Sequence, residues 1–356
     1  MARGLLCWPS MPAKPPAVHR PLRSRGAPGV HGPLRSRGAG IAAASSLLLA
    51  LAIAAPARAD LWEESLPMGP GGLVEVEFDL GEGLRPDPGS LTIRSHSRDE
   101  VRMEIESGGW GTWGLAPRLV ESAGRVRAEA RVTGATTWMF GGPNVRVRLW
   151  VPEKTSLEVR AKGGPVRIEE LVGSVRARVR DGDLEIRSIE GDVKLRLHQA
   201  NVDVEEIHGG LDVKSTDGDI HAAWVSGDVE ARSSDGAIRL EHLRGRALAK
   251  TLSGDVEVTQ VSGPVEARTE SGQLRVSFVG APEGSLLVER GNVEVQVPAG
   301  AGFHLDAEVT RGELELAPNL LDGSGVSPTA AHGKVGAGGG LLVLRSSRGW
   351  IRVNGR

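Results

Sequence analysis

The chain has 356 residues, with 43 Lys and Arg against 45 Asp and Glu, and its hydrophobic content of 40% is enough for a sizeable core. Its one cysteine, Cys7, stands near the start, which excludes disulfides, thiol catalysis and thiolate metal sites from the rest of the chain. Aromatic residues make up 3% and tyrosine is absent, so the core has to be aliphatic.

Residues 1–59 read as a leader and signal peptide. An apolar run from Ile41 to Ala55 follows Arg35 and Arg37, and Ala57-Arg58-Ala59 precedes Asp60, which predicts cleavage between Ala59 and Asp60. The run is too short for a transmembrane anchor, and Cys7 is not at its end, where lipidation would need it. Upstream, Pro-Leu-Arg-Ser-Arg-Gly-Ala occurs at both Pro21 and Pro33, as in an over-long leader or a start codon placed too early. The expectation is export to the periplasm, the cell surface or the medium. These 59 residues hold eight of the 43 basic residues and no acidic ones, so the remainder carries 35 basic against 45 acidic residues. An acidic balance argues against general attraction to nucleic acid.

Residues 60–150 carry less regular strand signals, at 73–78, 91–93, 101–105, 125–132 and 145–151, each alternating apolar and polar residues. They predict an irregular β cap and the first coils, with the boundary to the regular region near Val151-Pro152. Trp110, Trp113, Trp138, Phe140 and Trp150 form a candidate aromatic patch here, either a binding surface or a plug for the end of the fold.

From 164 to 272 the chain repeats every nine residues, and twelve of the thirteen corner positions are Gly, the exception being Ala200. Gly-x-apolar-x-apolar, as in Gly254-Asp255-Val256-Glu257-Val258, is a strand's period of two. Two kinds of nine alternate: Leu171, Ile189, Ile207, Val225, Leu243 and Val261 stand two residues before every second Gly. The unit is therefore eighteen residues, or two short strands and two turns. This predicts an all-β parallel β-solenoid in which no coil folds alone. A sixth inward column turns polar at Ser215, Ser233, Thr251 and Thr269, whose hydroxyls can bond one another or the turn backbone. Beside it an outward basic column runs through Arg178, Arg196, Lys214, Arg232, Lys250 and Arg268, a candidate ligand-binding surface. The same column equally suits simple charge balance and protection of sheet edges.

After Gly272 the period breaks near Pro282 and resumes loosely at Gly291 and Gly312. A Gly/Ser/Pro-rich loop of roughly Asn319 to Gly340 precedes the last strands, at 341–344 and 350–353, which complete a 151–356 solenoid region.

Chemistry is scarce. Asp follows the corner Gly at Asp183, Asp192, Asp219, Asp228 and Asp255, but the Gly-Gly-x-Gly-x-Asp pattern of calcium rolls is missing, so turn capping is the reading. Asp203, His221, Arg239 and Glu257 stack at eighteen-residue intervals beside His242, and would serve a polysaccharide-modifying β-helix enzyme, except that minimal coils leave no loops to build a cleft. His208, His221 and His242 fall on different sides of the coil and lack a zinc site's spacing, so neither a metal nor a cofactor is expected.

Four stretches carry a resemblance: Val151 to Val159, the Ser-x-Asp-Gly-Asp-apolar repeats such as Ser215 to Ile220, Val297 to Ala307, and Leu341 to Val353. In this order they resemble the bacterial putative-adhesin family of β-strand repeat proteins, across about residues 73–355. The resemblance implies a parallel β-solenoid at the cell envelope and no catalytic residues. The tryptophan-rich stretch departs from the family pattern. Three readings stay open: a non-enzymatic envelope protein that binds polysaccharide or protein, a polysaccharide-modifying enzyme, and a structural protein that polymerises end to end.

Overall fold

The computed structural model describes residues 60–80, 89–108, 115–132, 144–321 and 325–355, and these contain strands, turns and bends but no helix. Seven strands precede the regular repeat: β1 (Asp60–Pro67), β2 (Leu73–Asp79), β3 (Ser90–His96), β4 (Glu100–Gly108), β5 (Leu115–Ser122), β6 (Arg125–Val132) and β7 (Asn144–Pro152). Coils then follow as strand pairs: β8 (Ser156–Lys162) with β9 (Val166–Val172), β10 (Val175–Asp181) with β11 (Leu184–Glu190), and β12 (Val193–Gln199) with β13 (Val202–Ile207). Next come β14 (Leu211–Lys214) with β15 (Ile220–Val225), β16 (Val229–Arg232) with β17 (Ile238–Glu241), β18 (Ala247–Ser253) with β19 (Val256–Val261), and β20 (Val265–Ser271) with β21 (Leu274–Phe278). The chain closes with β22 (Gly284–Arg290), β23 (Val293–Val297), β24 (Phe303–Val309), β25 (Leu314–Leu316), β26 (Ala330–Val335), β27 (Leu341–Arg348) and β28 (Ile351–Gly355).

Within the repeat each strand pairs in parallel with the strand one coil on, at a register of eighteen residues: Val175 faces Val193, and Leu184 faces Val202. Two sheets of fourteen strands result, the first containing β9 to β21 by odd numbers and the second β8 to β20 by even numbers. The apolar columns all face the interior between the sheets; Ile186, Leu195, Val204 and Val213 are fully buried. Ser215, Ser233, Thr251 and Thr269 are buried too. Their hydroxyls donate to corner carbonyls and not to each other: Ser215 to Asp217 at 3.1 Å, Thr251 to Ser253 at 3.2 Å, Thr269 to Gly254 at 3.1 Å.

The corner glycines are a consequence of this stacking. A Cβ on Gly254, at φ +146°, would lie 2.1 Å from the carbonyl oxygen of Gly236 one coil earlier. The residue after the corner braces the next coil. Asp219 accepts the backbone N–H of Ala237 at 2.8 Å, Asp228 that of Arg246 at 2.9 Å, and Asp255 that of Gln273 at 2.7 Å. These carboxylates satisfy N–H groups that a sharp corner would otherwise leave unpaired.

At both ends the coils leave sequence order. In the second sheet the order is β5-β6-β2-β8, and in the first β1-β4-β7-β3-β9, so the coil formed by β2 and β3 is inserted between β6–β7 and β8–β9. The C-terminal coil does the same: β27 lies between β22 and β24, and β28 between β23 and β25. The outermost layers are closed by antiparallel strands, β1 on β4, β4 on β7, β5 on β6, and β26 on β24. Ala330–Val335 falls inside the segment that reads as a loop in the sequence, yet it forms β26 because the outer edge of β24 would otherwise stay open.

Candidate functional site

Outward-facing residues repeat in columns because the coils are in register. Arg178, Arg196, Lys214, Arg232, Lys250 and Arg268 form one such column on the second sheet, extended upstream by Arg160. Like charges one strand apart repel, so each seeks a carboxylate sideways. Arg160 and Arg178 share Glu158, at 2.6 and 3.2 Å. Arg196 grips Asp212 with two hydrogen bonds of 3.0 Å. Burial raises the Asp212 pKa, but the Arg196 hydrogen bond and charge outweigh it and hold the carboxyl below its usual value. Lys214 and Arg232 both reach Glu230, and Arg268 reaches Glu289 at 3.0 Å. Lys250 has no ion-pair partner among the described residues; Leu248 occupies the neighbouring place that Asp212, Glu230 and Glu266 hold in the adjacent coils.

The column widens into a patch over three strands. The alternating outward positions of β8, β10 and β12 are Ser156, Glu158, Arg160 and Lys162, then Arg176, Arg178 and Arg180, then Lys194, Arg196 and His198. These outward positions hold seven Lys and Arg and one carboxylate, Glu158; the flanking strands add Glu77 and Asp79 on one side and Asp212 on the other. Arg176 is exposed and has no ion-pair partner among the described residues.

On the first sheet Asp203, His221, Arg239 and Glu257 do stack, as their spacing requires. They are part of a charged ladder in which most neighbours pair along the axis: Arg167 with Glu185 at 2.5 Å, His221 with Asp203 at 2.8 Å, Arg239 with Glu257 at 3.3 Å, and Arg275 with Glu294 at 3.6 Å. Each of these carboxylates has a cation or imidazole beside it in the ladder.

A third surface was not singled out in the sequence. Glu170, Ser188, Glu206, Trp224, His242 and Gln260, eighteen residues apart, all have φ between 55° and 61°. This left-handed residue follows a second outward residue, so that the next one, Leu171 to Val261 in the series, turns inward again. Along this edge Trp224 is 58% exposed and stacks on His242, ring centroids 3.8 Å apart and planes at 19°. Glu206, His208, Trp224, Ser226, His242 and Arg244 rim a groove of about 330 Å³. His208 and His242 thus share one surface, contrary to the sequence expectation that they face different sides; the left-handed residue brings both columns to the same edge. His221 lies apart, on the first sheet.

Of the aromatic patch, Trp150 alone is described: the Arg102 guanidinium lies 5.3 Å from its ring centroid. Ala59, Trp110, Trp113, Trp138 and Phe140 fall outside the described residues, and of Asp60 the backbone alone is described, as the start of β1. Among the described residues no group of three or more His, Cys, Asp or Glu is placed to hold a metal ion, and no helix is long and apolar enough to cross a membrane.

Two parallel-dominated sheets joined by eighteen-residue coils define a β-solenoid. Residues 90–353 match the model of the Toastrack DUF4097 family, and the chain belongs to that family. Among solved structures, a putative cell adhesion protein of Clostridium sporogenes is 12% identical over 83% of this chain and 100% of its own, with a TM-score of 0.22. A putative adhesin of Bacteroides fragilis is 11% identical over 83% and 97%, with a TM-score of 0.33. A putative lipid binding protein of Parabacteroides distasonis is 8% identical over 84% and 99%, with a TM-score of 0.26. At such scores no function transfers from them. No curated protein matches the chain.

Proposed function

We propose that this chain is a non-enzymatic, exported binding protein of the bacterial cell envelope that holds an anionic polysaccharide on its second sheet. The observation that carries this reading is the patch over β8, β10 and β12, whose outward positions hold seven Lys and Arg against one acid, Glu158. Folding alone does not call for it, because cations stacked on cations repel. An acidic polymer running along the axis meets a cation about every 4.8 Å, and weak contacts repeated along one chain add avidity. The polymerisation reading is less favoured by the N-terminal edges, where Pro67 ends β1 and Pro117 stands within β5, devices that discourage strand addition.

Retention of the protein on immobilised polygalacturonate or alginate tests the reading. Binding is expected to weaken steeply with added salt, and to fall about tenfold or more when Arg176→Glu, Arg178→Glu and Lys194→Glu are combined, since a tenfold loss needs only about 1.4 kcal/mol. Retention unchanged by that triple variant would overturn the proposal.

A further inference from the structure

We infer a second, independent site: the groove around Trp224 takes a neutral pyranose unit of a polysaccharide, stacked on the free face of the indole. The argument starts from the three coils that meet there. His242 comes from the coil after Trp224 and covers one face of its ring. Glu206 and His208 come from the coil before, so they border the opposite face. The Glu206 carboxylate does not close that face, because it accepts a hydrogen bond of 2.7 Å from the Ser188 hydroxyl, one coil further back. With one face stacked and 58% of the residue still exposed, the other face is open.

The rim suits a sugar better than a lipid or an apolar peptide. A flat apolar plate is bordered by short-range donors and acceptors: the Ser226 hydroxyl, the His208 ring, the Arg244 guanidinium and the Glu206 carboxylate. Arg244 has no ion-pair partner among the described residues. One cation and one carboxylate leave the rim close to neutral, unlike the basic patch of the second sheet. A pyranose offers the matching pattern, C–H groups on one flat face and hydroxyls around its edge. A pocket with an aromatic wall and a few convergent polar groups is also the usual form of a small-molecule site. The ring is held in place from below: the backbone at Trp224 has φ +61° and the adjacent Val225 is buried, so the indole stands out from the edge without being able to fold into the core.

Titration of the full chain with cellohexaose, chitohexaose, maltohexaose and mannohexaose, followed by calorimetry and tryptophan fluorescence, tests this. At least one of them is expected to bind and to change the emission. Trp224→Ala is expected to weaken that binding about tenfold, the order of one aromatic stack with its buried area, and Arg244→Ala to weaken it less. Circular dichroism and the melting temperature verify that both variants fold, as substitutions of exposed residues should. The charge-reversed second-sheet variant is expected to bind the neutral sugar as the parent does, which separates this site from the polyanion reading. The proposal is overturned if none of the neutral hexaoses binds at millimolar concentration, if polygalacturonate alone depends on Trp224, or if Trp224→Ala binds the sugar unchanged.

Discussion

The two sheets share one eighteen-residue register and differ most in what they show to solvent. On the first, opposite charges meet along most of the column, with Glu185 beside Asp203 the like-charged step, and Arg167–Glu185, Arg239–Glu257 and Arg275–Glu294 pair along the axis. On the second, Arg160 to Arg268 stack cation on cation and must find carboxylates sideways, with Arg176 and Lys250 left without one among the described residues. The stack dictates the interior and the corners on both sides alike. It leaves the outward columns free, so a column that stacks like charges is one that coil stacking by itself does not require.

The comparison breaks most severely at a corner, which serves both sheets at once. Gly254→Ala forces a Cβ against the Gly236 carbonyl at 2.1 Å. The coils have to part, and the expected loss is about 3 kcal/mol of stability. Gly300 has a positive φ of +75° but nothing within 4 Å of a Cβ, so Gly300→Ala is expected to cost only about 1 kcal/mol. Denaturant midpoints of the two variants measure the difference. Equal losses would mean that backbone conformation, and not coil stacking, requires the corner glycines.

A charge swap sharpens the contrast directly. Arg239→Glu places a carboxylate beside Glu257 in the charged ladder and is expected to cost about 1 kcal/mol. Lys250→Glu places one between Arg232 and Arg268, where it relieves repulsion, and is expected to add about 0.5 kcal/mol. Thermal unfolding at low ionic strength reads both. If the two substitutions shift stability in the same direction, the distinction between the faces fails.

How much of this is legible in the sequence depends on whether a residue's position or its neighbour decides. The interior columns and the basic column follow from counting, because in-register stacking turns an eighteen-residue interval into a contact. The left-handed edge does not: Glu170, Ser188, Glu206, Trp224, His242 and Gln260 share a backbone conformation but no chemistry, and none is the Gly or Asn that usually signals it. The extra residue between Ile168 and Leu171, repeated in each coil, is the one trace of it. The insertion of β2–β3 and β27–β28 is equally silent, since Val74, Val76 and Phe78 alternate as any coil does and fit β6 on one side as well as β8 on the other. Pairing both edges of the first and last coils holds segments that would otherwise fray.

The smallest expected effect tests how the second sheet tolerates its cations. Asp212 lies between Lys194 and Arg196 and takes two hydrogen bonds from Arg196 at a partly exposed site, so Asp212→Asn should cost about 0.4 kcal/mol near neutral pH. Because the native carboxyl is held below its usual value, the unfolded chain binds the proton first on acidification. The stabilisation is therefore complete above the unfolded pKa of about 3.9, and it declines as the pH drops from there through the native value. The stability gap between parent and variant should close once the pH has fallen through the lowered native value. A gap that persisted at lower pH would assign Asp212 a packing role, and the balance of the basic column would then rest on Glu158, Glu230 and Glu289.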